Sequence, residues 1–115
     1  MRLTFKERAE LLKLLDAECD DIMNAKGPGY TLEGFANDNF WVEGKELGIR
    51  PEQALALHMS KHSNSIKVYI KNDGKVVDPE PIEFRIKDHI NYLRILWSIL
   101  VEQGRIIDPR VNKDE

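Results

Sequence analysis

The sequence predicts an all-α fold: a small helical bundle of about four helices, two or three of them long, working as an oligomer. Three observations lead there. Apolar residues recur at three- and four-residue spacing through four stretches. Glycines and prolines punctuate the gaps between those stretches. The last stretch is apolar on two nearly opposite sides, which suits a helix central to a bundle or buried at a subunit interface. The 115 residues suffice for one domain, taken as residues 1–104, with a short charged tail at 105–115.

Thr4 is placed to cap a first helix from about Phe5 to Ala25, with Leu11, Leu14, Leu15, Ile22 and Met23 at helical spacing. Gly27, Pro28 and Gly29 end it. After a loop, Asp38 caps a short helix that stops at Gly48, and Pro51 opens the third, where its missing N–H has no helical partner to lose. The third helix runs to about Asn72 on the stripe Leu55, Met59, His62, Ile66, Tyr69 and Ile70. Its end, SIKVYIKNDGKVV, also carries a hairpin signal around Asp73–Gly74, but the unbroken stripe favours helix. Pro81 opens the fourth helix, which runs to Gln103 ahead of Gly104. One of its stripes is Ile82, Ile86, Ile90, Leu93, Trp97 and Leu100; the other is Phe84, Tyr92, Ile95 and Ile99.

Charge narrows the function classes. Seventeen bases against twenty acids give −3, without the basic balance expected of a dedicated DNA binder. The excess lies in residues 1–40, which hold eight acids and five bases; Asp16, Glu18, Asp20 and Asp21 crowd six of those positions. Cys19 is the single cysteine, so an intrachain disulfide and a cysteine-based zinc cluster are both excluded. The N-terminus lacks a signal-peptide apolar core, and the longest apolar run, Ile95–Val101, is far short of a membrane span. The expectation is a cytoplasmic protein with no membrane partner.

Several polar residues fall on apolar faces. Asp88 and Asn91 lie within the second stripe of helix 4, where a carboxylate must be paired, hydrogen-bonded or metal-bound. A structural pair with Arg85 or Lys61 is one outcome. On helix 1, Glu18 projects among Leu11, Leu14, Leu15 and Ile22, with Asp21 one turn on. Acidic pairs on two helices facing each other supply the oxygen ligands of a hard divalent cation, so Glu18, Asp21 and Asp88 are candidate Mg²⁺ ligands. In that reading Asp88 and Glu18 are catalytic, and Asn91 orients substrate or a metal-bound water.

His58 and His62 share a helix face at zinc-ligand spacing, but no third soft ligand is evident, and His62 sits mid-stripe as a core histidine does. Lys61 and Ser65 flank it as candidate phosphate contacts, with Lys26 and Arg85 as further cations. The loop KGPGYTLEGFANDNFW is dense in aromatics. Tyr30, Phe35, Phe40 and Trp41 serve either to stack on a base or to cap the bundle.

The blocks KGPGY, DNF, GIRPEQALALHMSKH and EPIEFRIKDHINYL resemble a family of small helical phage and prophage proteins, mostly of unassigned function, over roughly residues 20–103. The matching positions are Lys26, Gly27, Tyr30, Asn39, Phe40, Gly48, Pro51, Lys61, His62, Ser65, Glu83, Arg85, Asp88, Asn91 and Tyr92. The layout is more distantly similar to the all-α (MazG-like) nucleoside-triphosphate pyrophosphatases, in which acidic pairs on two helices bind Mg²⁺ and water attacks between phosphates. This chain lacks their doubled Glu-Glu-x-x-Glu and a strict Glu-x-x-Asp on helix 4, and Glu83 points about 140° away from Asp88. The resemblance implies nucleotide binding, with Tyr30, Asn39 and Phe40 added to the ligand contacts.

Three functions are compatible with these residues. The first is a Mg²⁺-dependent nucleotide pyrophosphatase-like hydrolase. The second is a non-catalytic phage-type protein that binds or sequesters a nucleotide signal. The third is an oligomeric interaction module in which Asp88 is an ion pair and helix 4 an interface. A homo-oligomer suits all three.

Overall fold

Thr4 and Glu7 open α1 (Phe5–Lys26) with a reciprocal cap. The Glu7 N–H donates to Thr4 Oγ1 at 3.1 Å, and the Thr4 N–H donates to Glu7 Oε1 at 3.0 Å. Those bonds hold the Glu7 carboxyl below its ordinary pKa and make this residue part of the cap. The computed structural model describes residues 1–26, 34–75 and 80–111. Within them it contains four helices and no strand.

Helix α2 (Asp38–Leu47) begins one residue after the buried Asn37, and its Asp38 carboxylate accepts the Phe35 N–H at 3.1 Å. It stops at Gly48, whose φ of 70° is the left-handed value that ends helices. Helix α3 (Pro51–Lys71) starts at Pro51, with the Gln53 side chain accepting the Arg50 N–H at 2.9 Å. The hairpin alternative for its end is not taken. Helical pairing continues to Lys71, and Asp73 and Gly74 then turn the chain at positive φ. Helix α4 (Ile82–Glu102) ends on Gln103 and Gly104, with Arg105 and Ile106 returning their N–H groups to the Leu100 carbonyl.

Helix α3 packs between α2 and α4, while α1 packs on α4 alone among the helices. The core is Phe40, Leu55, Ile95 and Ile99, with Met23, Met59, Tyr92 and Leu96 against it. Each fully buried side chain contributes roughly 1.5–3 kcal/mol. The second of the two α4 stripes is thus the better covered, at Tyr92, Ile95 and Ile99, although its Phe84 stays exposed. Ile86, Leu93 and Trp97 of the first stripe stay exposed. Gly44 lets α2 meet the start of α3, since a Cβ there would lie 2.8 Å from the Ile49 carbonyl oxygen. No helix among the described residues is long and apolar enough to cross a membrane.

The far end of α4 is tied to α2 by polar contacts. Asn37 Nδ2 donates to Ser98 Oγ at 2.9 Å and to Glu102 Oε1 at 2.6 Å, and Trp41 Nε1 donates to the same carboxylate at 3.2 Å. These bonds fix α2 over the core, so Phe40 points inward and its ring is only 2% exposed.

Candidate functional site

Helix α4 presents Arg85, Asp88 and Tyr92 at spacings of three and four, so they lie along one side of it. Helix α1 reaches this row with its last turn. Ile22, Met23 and Lys26 meet Asp88, Asn91, Tyr92 and Ile95 around a cavity of about 20 Å³, room for about one water molecule or one oxygen atom of a larger ligand. Lys26 Nζ stands 3.1 Å from Asp88 Oδ1; the Asp88 side chain is 14% exposed and that of Lys26 is 52% exposed. The carboxylate is therefore enclosed while its cation stays reachable from solvent. Its partner is Lys26, and not Arg85 or Lys61, the pairs that the sequence offered as one outcome.

Helix α3 supplies His62, whose ring lies against Tyr92 with centroids 5.1 Å apart. Its buried Nδ1 has no hydrogen-bond partner among the described residues. Burial pushes the His62 pKa below its ordinary value, and Asp88 opposes that shift. Arg85, Glu80 and His89 are the other charged or titratable groups acting on this ring. Arg85 pairs with Glu80 at 3.3 Å just before α4 begins. The cluster therefore brings together Lys26, His62 and Arg85, from three helices, with the carboxylates Asp88 and Glu80.

Asn91 is part of the wall and 6% exposed. Its Nδ2 donates to the Cys19 carbonyl at 3.0 Å, and its Oδ1 accepts from Arg94 Nη1 at 2.9 Å. Both ends of the amide are therefore engaged in holding α1 on α4. Arg94 extends the link by pairing with Asp20. The role of Arg94 as a strut across the helix crossing is not legible from spacing.

The remaining site candidates lie elsewhere. Glu18 does not sit among apolar neighbours; it is 56% exposed and pairs with Lys87 at 2.5 Å. Asp21 is exposed on α1. Among the described residues no three His, Cys, Asp or Glu side chains come together as a metal site. With Glu18 held by Lys87 and Asp88 by Lys26, the donor set Glu18, Asp21 and Asp88 does not fit a shared Mg²⁺.

His58 turns away from His62 to Glu43, Nε2 to Oε2 2.8 Å, with its ring edge-on to Phe40. Phe40 is core, not a platform for a base. Asn39, Lys61 and Ser65 do not line the cavity: Lys61 is exposed, and Asn39 and Ser65 are half-buried. Tyr30 lies outside the described residues. Tyr92, read only as apolar packing, is the residue that joins His62 to the cavity wall. Comparison with protein-family models, with curated proteins and with solved structures yields no match.

Proposed function

We propose that this protein binds a phosphorylated small molecule, a nucleotide in the simplest case, at the cavity between the end of α1 and the middle of α4. The observation that carries the reading is the half-exposed Lys26 over the enclosed Asp88, with His62 tilted against Tyr92 behind them. Lys26 is free to swing from Asp88 to an incoming phosphate, and Arg85 adds positive charge nearby. The neutral His62 takes up a proton as the anion arrives, because a phosphate beside it opposes the desolvation that lowers its pKa. The cavity admits one oxygen or a water, so the rest of the ligand lies across the mouth at the end of α1.

Binding without hydrolysis is favoured over Mg²⁺-dependent phosphoanhydride cleavage, because two of the three carboxylates named for the metal, Glu18 and Asp88, are engaged with Lys87 of α4 and Lys26 of α1. The test is a thermal-shift screen of nucleoside mono-, di- and triphosphates and cyclic nucleotides, with and without Mg²⁺. A rise in Tm of several degrees without Mg²⁺, lost in Lys26→Met, supports the reading. Release of pyrophosphate or phosphate only with Mg²⁺ replaces it with the hydrolase. No shift with any nucleotide overturns it.

A further inference from the structure

The cavity at the α1–α4 crossing holds about one oxygen atom, and its wall decides which kind of oxygen enters. Ile22 and Ile95 bring no polar side-chain atom to it, and Met23 only a weakly accepting sulfur. Both ends of the Asn91 amide are already engaged, with Cys19 and Arg94. The charged groups on the wall are the Asp88 carboxylate and the Lys26 ammonium.

An ionised carboxylate accepts hydrogen bonds and donates none. Among the described residues the one hydrogen-bond donor to the Asp88 carboxylate is Lys26, at 3.1 Å. A phosphate arriving at the mouth draws Lys26 away. Asp88 is then an enclosed carboxylate stripped of its donor, which is costly unless the ligand returns one. A phosphate oxygen cannot do so. Above a second pKa of about 6 a terminal phosphate carries no hydrogen, and its oxygen would meet Asp88 as like charge to like. A hydroxyl can, because it donates one bond and accepts another.

We infer that the cavity takes a hydroxyl group of the ligand, donating to Asp88, while the phosphate stays outside on Lys26. The ligand class narrows to phosphorylated molecules that carry a free hydroxyl a few bonds from the phosphate. Among nucleotides that group is an open sugar hydroxyl. The inference rests on the nucleotide reading and adds to it the group that the site selects. An analogue lacking the hydroxyl leaves the carboxylate enclosed and unpaired, and a site built around a buried polar group rejects such an analogue.

The test titrates ribonucleoside 5′-triphosphates and their 2′,3′-dideoxy counterparts into the full chain by calorimetry, at neutral pH without Mg²⁺. Base and phosphates are identical within each pair, so the contact with Lys26 is held constant. The ribonucleotide is expected to bind about 10- to 100-fold more tightly. In Asp88→Ala, which unlike Asp88→Asn leaves no acceptor, the ratio should fall to near one, with helical circular dichroism confirming the fold. Equal affinity within the pairs, or a preference that survives Asp88→Ala, overturns the hydroxyl assignment and leaves the phosphate site standing. Failure of both series to bind overturns the phosphate site itself, and this inference with it.

Discussion

Asn91 donates its side-chain N–H to the main-chain carbonyl of Cys19 across the α1–α4 crossing, while Arg94 donates to the other end of the same amide. Deleting the amide strips a buried carbonyl of this bond and a guanidinium of one of its two acceptors. Asn91→Ala is therefore expected to destabilise the fold by about 1–3 kcal/mol in urea unfolding. Cys19 is fully buried and its thiol pKa is raised by that burial, so it should resist alkylation in the native protein. Asn91→Ala should speed its labelling by loosening α1. Equal labelling rates in the two proteins would show that this bond does not hold the crossing.

The His62 environment sets a pH dependence. Burial lowers its folded pKa below that of the unfolded chain, about 6.5. The unfolded state then binds the extra proton first, so stability is full above about pH 6.5 and declines as pH falls through the folded pKa. Asp88, Arg85, Glu80 and His89 all act on the ring, so the slope belongs to the cluster. His62→Gln should flatten the Tm profile on the acid side of neutrality. An unchanged profile would place the titration elsewhere.

The Lys26–Asp88 pair separates binding from hydrolysis. Lys26 is half exposed, so losing the pair should cost under about 1 kcal/mol of stability. Asp88→Asn removes a negative charge next to the anion and should tighten nucleotide binding by roughly tenfold, worth about 1.4 kcal/mol. Lys26→Met should weaken it by a similar factor. Titration calorimetry reads both. A carboxylate that served a metal would produce the opposite result for Asp88→Asn, a loss of ligand-dependent activity.

Gly44 is required by close approach, since any Cβ there meets the Ile49 carbonyl oxygen at 2.8 Å. Gly44→Ala should cost about 1–3 kcal/mol through displacement of α2 from α3. Gly48→Ala meets no atom but must adopt φ of 70°, and should cost about 1 kcal/mol. Urea denaturation of both variants ranks the two effects.

The helices were legible because each carries its own punctuation. Thr4, Pro51, Gly48 and Gly104 act on backbone within one turn of themselves, and the stripes of α3 and α4 repeat at the helical period whatever they pack on. The local acidity of α1 was equally visible, as was the misplaced polarity of Asp88 and Asn91. The site was legible only in part. Asp88 announced that it needs a partner, but Lys26 is 62 residues away, and a periodic pattern carries no information about which distant side chain arrives.

Glu18 shows the other side of the same limit. A helical wheel placed it among leucines, yet a face becomes a core only where another helix lies over it. The sequence by itself determined four helices, their ends and the residues too polar for their faces, because these depend on backbone chemistry a few bonds away. Only the tertiary structure decided which faces meet. There α1 crosses α4 alone, leaving Leu11, Leu12, Leu14 and Glu18 in solvent and enclosing Asp88 beneath Lys26. That outcome rests on which apolar surfaces can be buried together, a property of the whole chain.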